Sequence, residues 1–279
     1  MDGYAVKLEN HILGILIDDI NHNRLELPML PEIALQTRQV VECPESTAAD
    51  IAAVISTDAV ISARLLRLAN SPLYRAGKPI DNIKRAIARL GSDAVRNLVT
   101  GLVLEQLYQT TREPWLDDHL RALWQHSIRV AATSQILARQ YTQLSPDQAL
   151  LAGLIHDIGA IPLYSKAISI PELTENEPLM QHIVRKLHAL AGTAILDEWR
   201  FPQALIDVVA NHEHGAPDDD GPVDYVDIVV IANAFDHAEP QWHLNCPLAK
   251  LGITAEELAN TLKQGSEEVN AVQQSFAMG

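Results

Sequence analysis

Cysteine is nearly absent from this 279-residue chain. Two residues, Cys43 and Cys246, cannot build a disulfide scaffold, and they fit a reducing compartment, so a cytoplasmic location is expected. Aromatics make up only 5% of the residues, too few for the stacking platforms that hold single-stranded nucleic acid. Positive charge is also scarce. Lys and Arg total 21 against 36 Asp and Glu, a formal net charge of −15 that repels phosphate backbones. No nucleic-acid partner is expected. The apolar stretch from Ile12 to Ile17 is far too short to span a bilayer and ends at Asp18-Asp19. The first residues, Met1-Asp2-Gly3-Tyr4, show neither a basic segment nor a small-residue cleavage site, so no membrane partner is expected either. Phosphate loops of the GxGxxG and GxxxxGK[ST] kinds are missing, and Ala216 stands where a zinc helix opening at His212-Glu213 would need its second histidine.

What is present is helical periodicity. Ile51, Val54, Ile55, Ile61, Leu65 and Leu68 recur at three- and four-residue steps, and Asp58 reads as an N-cap dividing two short helices. Asn70-Ser71-Pro72 stops the second. Further helices are expected over about 82–90, 93–108, 114–141, 178–199, 202–211, 223–238 and 254–263. Ser145-Pro146-Asp147 caps another, whose sequence Ala149 to Ile155 is apolar nearly all round and therefore buried. No alternating run with a hairpin turn appears, so the fold class is all-α. The acidic stretch 216–222 lacks the ligand spacing of a calcium loop and reads as solvated surface. The tail from Gly265 reads as polar and frayed. The cluster Lys84, Arg85, Arg89 and Arg96 reads as the wet face of a helix pair.

His156 and Asp157 follow the buried apolar helix, where such groups are costly unless something pairs with them. Other histidines recur on flanking helices: His126, His188 and His212. Any one alone is ordinary. Together they form a candidate site for a divalent cation held by imidazole and carboxylate.

These residues resemble a family. His126, then His156-Asp157, then a late polar position near Asn233, is similar to the H…HD…D framework of HD-superfamily metal-dependent phosphohydrolases. His156-Asp157-Ile158-Gly159 resembles the HDIGK string of HD-GYP proteins. The segment His188 to Leu196 resembles their HxxxGxxIL helix, and Asn211-His212-Glu213 their HHE. The N-terminal half resembles the HDOD domain instead, through Leu27-Pro28-Met29-Leu30-Pro31, Leu65 to Pro72 (LLRLANSP) and Ala86 to Gly91.

The HDOD resemblance implies a multi-helix HD-superfamily-like bundle with an N-terminal helical subdomain. It divides the chain into a helical extension (1–24), an HDOD domain (25–237) and a helical tail (238–279). It also implies an output or interaction domain of bacterial signalling with a protein partner. Three positions depart from the hydrolase pattern: Ala160 for lysine, Asn211 for the first histidine of HHE, and Asn233 for the last aspartate. With Asp157 as the one sure carboxylate, and Glu213 available only if it turns inward, a degenerate and non-hydrolytic centre is expected. The alternative is a phosphohydrolase acting on a nucleotide or cyclic dinucleotide. In it His126, His156, Asp157, His188 and His212 hold one or two ions of Mn, Fe, Ni, Zn or Mg, with Asn233 or Asp236 completing the shell and Asp157 essential for activity. The sequence leaves the oligomeric state open.

Overall fold

The computed structural model describes residues 3–22, 24–74, 77–109, 114–213, 221–237 and 245–277. Every regular element among them is helical. The chain runs through α1 (Gly3–Asn21), α2 (Glu32–Glu42), α3 (Ala48–Ile55), α4 (Ala59–Ala69), α5 (Ile83–Leu90) and α6 (Ser92–Leu104). A 3₁₀ turn (Glu105–Tyr108) follows, then α7 (Pro114–Tyr141), α8 (Pro146–Ile155), α9 (Ala160–Ala167), α10 (Pro171–Thr174) and α11 (Glu177–Glu198). The last elements are α12 (Gln203–Asn211), α13 (Tyr225–Asp236), α14 (Asn245–Leu251), α15 (Ala255–Gln264) and α16 (Ser266–Phe276).

Local chemistry sets the helix starts. Asp58 accepts from the amides of Val60 and Ile61, both at 2.9 Å, so the break between α3 and α4 falls where the sequence puts it. Asn82 caps α5 and Ser145 caps α8 in the same way. Within LLRLANSP, Asn70 brackets Ile80, its amide donating to the Ile80 carbonyl and its oxygen accepting from the Ile80 amide, both at 2.8 Å. Arg89 donates to the Ala69 and Lys78 carbonyls. Arg85 and Arg96 face Asp81 and Asp93. These arginines of the basic cluster are thus engaged within the fold.

The main core joins α2–α9 and α11–α16 around fully buried residues such as Trp124, Leu98, Leu102 and Ile155. A second core seats α1 on α9 and α11 through Ile12, Leu16, Leu163, Met180 and Ile183. Two ion pairs fasten that helix: Lys186 to Glu9 (2.7 Å) and Lys166 to Asp19 (3.1 Å).

Three expectations are corrected. The tail is not frayed: α16 buries Val272 and Phe276, and the Trp124 indole donates to the Phe276 carbonyl at 2.9 Å. The helix expected to reach Tyr108 tightens to 3₁₀ after Leu104. Helices α2 and α9 form where the sequence pattern predicts none. The acidic stretch falls mostly outside the described residues.

Candidate metal centre

Three glycines let the helices approach closely enough to assemble the site. A Cβ on Gly153 would lie 2.5 Å from the Ala131 Cα, so α8 crosses α7 almost backbone to backbone. That crossing sets His156, in the turn after α8, beside His126 of α7. A Cβ on Gly159 would lie 1.9 Å from the His188 carbonyl oxygen and 2.3 Å from the Gly192 nitrogen. The glycines of the HDIG-like and HxxxG-like strings therefore abut, which places Asp157 against His188. The turn after α12 brings His212 and Glu213 to the same point.

All four rings are buried, with His156 fully so. Each spends Nδ1–H on a fixed acceptor: His156 on Gly153 O (2.8 Å), His188 on Arg185 O (2.9 Å), His212 on Val209 O (3.0 Å) and His126 on Asp236 Oδ2 (2.7 Å). A carbonyl can only accept, so the neutral rings carry lone pairs on Nε2. Those lone pairs converge. The Nε2 atoms of His126 and His156 are 3.1 Å apart, and those of His188 and His212 are 3.0 Å apart. Two lone pairs at that distance repel unless a positive charge lies between them.

Asp157 joins the two pairs. Its Oδ1 is 3.1 Å from His212 Nε2 and 3.3 Å from His188 Nε2, while Oδ2 is 3.4 Å from His156 Nε2 and 3.8 Å from His126 Nε2. Glu213 does turn inward, its Oε1 lying 3.5 Å from His188 Nε2 and 3.8 Å from His212 Nε2. The ligand atoms thus fall into two groups sharing one carboxylate: His126, His156 and Asp157; and Asp157, His188, His212 and Glu213.

Electrostatics agree. Burial pushes His156 down to about 3, so it stays neutral. Burial alone would raise Asp157, but positive charge shared at the Nε2 edges of the surrounding His156, His212 and His188 holds it well below the carboxylate range. His212 is disfavoured as a cation by burial, yet Asp157 outweighs this and raises it. The pocket attracts positive charge, and its donor set of imidazole nitrogen and carboxylate oxygen fits divalent transition metals.

The departures from the pattern separate in space. Asn211 donates to the Asp207 carbonyl and stands outside the centre. Ala160 and Asn233 line a cavity of about 470 Å³ that opens onto Asp157, His188, His212 and Glu213. The buried Asn233 Oδ1 has no hydrogen-bond partner among the described residues. Asp236 stands behind His126, paired with Arg129 at 2.6 Å. His237, which sequence reasoning missed, lines the cavity and stacks on His126 with centroids 4.6 Å apart. His214 lies outside the described residues. Among the described residues, no helix is long and apolar enough to cross a membrane.

This is a helical HD-type fold with a histidine-rich candidate metal centre. The HDOD domain family matches residues 27–215, and the chain belongs to that family. Its structure is similar to that of a "Putative metal-dependent phosphohydrolase" from Shewanella amazonensis SB2B, at 29% identity and a TM-score of 0.84, covering 96% of this chain and 99% of that one. An HDOD domain protein of unknown function from Geobacter sulfurreducens shares the fold at 22% identity and a TM-score of 0.70, covering 98% and 100% of the two chains. An uncharacterized protein of Treponema pallidum (strain Nichols) is 27% identical over 224 residues. The match covers 75% of this chain but only 42% of the curated relative's length.

Proposed function

We propose that this HDOD protein acts in signal transduction through a metal-loaded centre that binds a small phosphorylated ligand without hydrolysing it and signals to a protein partner. The observation that carries the reading is the convergence of four Nε2 lone pairs on Asp157 at the floor of an open cavity. His126, His156 and Asp157 would hold one ion; His188, His212, Asp157 and Glu213 would hold a second. Bound divalent ions supply Lewis-acid charge to phosphoryl oxygens. Asp157 and Glu213 bring two negative charges to such a pair, so the loaded site stays cationic and draws an anion. Arg185, on the cavity wall, adds a guanidinium suited to phosphate. Leu123, Val184 and Val230 supply an apolar wall for the rest of the ligand.

Hydrolysis would ask more of these side chains. The Asn233 amide cannot take a proton from water, Ala160 offers no cation, and Asp157 has both oxygens committed. One observation favours a phosphohydrolase as the second reading: Glu213 is a second carboxylate within reach, and the Shewanella protein bears that description.

The test is elemental mass spectrometry of protein purified without chelator or affinity-tag metal. Titration with mono- and cyclic nucleotides and a phosphate-release assay follow. Near-stoichiometric Mn, Fe, Ni or Zn, nucleotide binding and no turnover support the reading. Turnover lost in Asp157→Ala replaces it with the hydrolase. Protein that takes up none of these ions overturns both.

A further inference from the structure

The four histidines are not held alike. His156, His188 and His212 donate Nδ1–H to carbonyls of their own segments, partners that any sequence provides. His126 alone donates to a side-chain carboxylate, Asp236 Oδ2, at 2.7 Å. Asp236 is itself fixed by Arg129, one turn beyond His126 on α7, through Nε to Oδ1 (2.6 Å) and a terminal nitrogen to Oδ2 (2.9 Å). It belongs to neither converging ligand group and does not line the cavity. Asn233, one turn earlier on α13, does line it.

The two halves of the centre also differ in charge. The half built on His188 and His212 has Glu213 beside its share of Asp157; the half built on His126 and His156 has only its share of Asp157. Asp236 is attached to the poorer half.

We infer that Asp236 is a positioning residue for His126, supplying through the imidazole ring the negative charge that Asn233 in the cavity wall lacks. A charged acceptor on Nδ1 fixes the ring's tautomer and direction and makes Nε2 more basic. His237, stacked on the ring, restricts its tilt. Arg129 donates to both oxygens of the Asp236 carboxylate, so the acceptor is an ion-paired, charged group. This inference rests on the metal-binding reading above.

Calorimetry and visible absorption of the 279-residue protein titrated with Co²⁺ test it. The wild type should bind in two steps. Asp236→Asn keeps an oxygen for His126 but removes its charge, and should weaken one step about 10–100-fold while leaving the other near wild type. Adding Asn233→Asp to that variant should restore the weakened step, which a merely structural role for Asp236 does not predict. Should Asp236→Asn not fold, Asp236→Glu and Asp236→Gln, which differ in charge but hardly in size, carry the same comparison. Wild-type affinity in the Asn (or Gln) variant, equal weakening of both steps, or no rescue by Asn233→Asp overturns the inference while the metal-binding reading stands. A wild type that takes no Co²⁺ overturns both.

Discussion

Replacing Gly159 by alanine tests whether glycine contact assembles this centre. The added Cβ would meet the His188 carbonyl oxygen at 1.9 Å, the Gly192 nitrogen at 2.3 Å and the Gly192 Cα at 2.8 Å. Real Cβ atoms stay beyond 3.0 Å, so α11 must retreat by about 1.1 Å or more. All three neighbours are main chain, and no rotamer change relieves the clash. Overpacking of this kind costs about 1–3 kcal/mol, and a backbone obstacle puts Gly159→Ala at the top of that range. The retreat also carries His188 away from Asp157 and His212, now 3.3 and 3.0 Å from its Nε2. Metal sites tolerate only about 0.2 Å of such drift, so the His188/His212 half should lose its ion.

Gly192→Ala is the control. Its Cβ would meet the Val209 Cγ1 at 2.5 Å, a methyl of a buried β-branched side chain, while the nearest main chain outside α11 is 3.3 Å away. It should cost about 1–2 kcal/mol, less than Gly159→Ala, and keep both ions because α11 need not retreat from Gly159. Urea unfolding and cobalt titration of the two variants read both effects. If Gly159→Ala stays within about 0.5 kcal/mol of wild type, or if Gly192→Ala does more damage, the assembly argument is refuted.

Phe276→Ala should cost about 3–5 kcal/mol in the same urea assay, because the ring is fully buried; a wild-type midpoint would mean that α16 is not part of the core. Arg64→Ala should cost less, about 1–3 kcal/mol, because the buried Glu105 loses this guanidinium but keeps the bond from the Gln109 amide; Glu105→Gln in that background should recover part of the loss. Mn²⁺ at about 100 times its Kd should stabilise the wild type by about 2.7 kcal/mol and leave Asp157→Ala unchanged, since both ligand groups need that carboxylate. Calorimetric melting reads this, and an equal gain in the variant would place the ion elsewhere.

The helix starts were legible because caps are local. Asp58, Asn82 and Ser145 each bond an amide two or three residues ahead, and that information lies in adjacent letters. The tail reads as polar because Ser266, Glu267 and Glu268 dominate its opening. Yet Val269, Val272 and Phe276 stand at helical spacing and give a signal that could have been found. For α2, Ala34 and Thr37 mark the buried side, with Ile33, Val40 and Val41 packed along it. Glu213 was different in kind. It follows the end of α12, where periodicity stops, and its direction depends on how the turn is laid against α11.

Counting departures from a motif weighs every position equally; three-dimensional structure does not. Asn211 bonds within its own helix and takes nothing from the centre. Asn233 removes a carboxylate from the cavity wall, but Glu213 reaches the same cavity from the turn after α12, and Asp236 charges His126 from behind. The His-rich floor, which four motif histidines and Asp157 provide, is complete. What the departures have changed is the wall: Asn233 and Ala160 line the cavity where the hydrolase pattern expects an acid and a lysine. A centre altered in that way keeps the capacity to hold cations and an anion over them. It gives up side chains that would move protons, and this is why we propose recognition for it and not turnover.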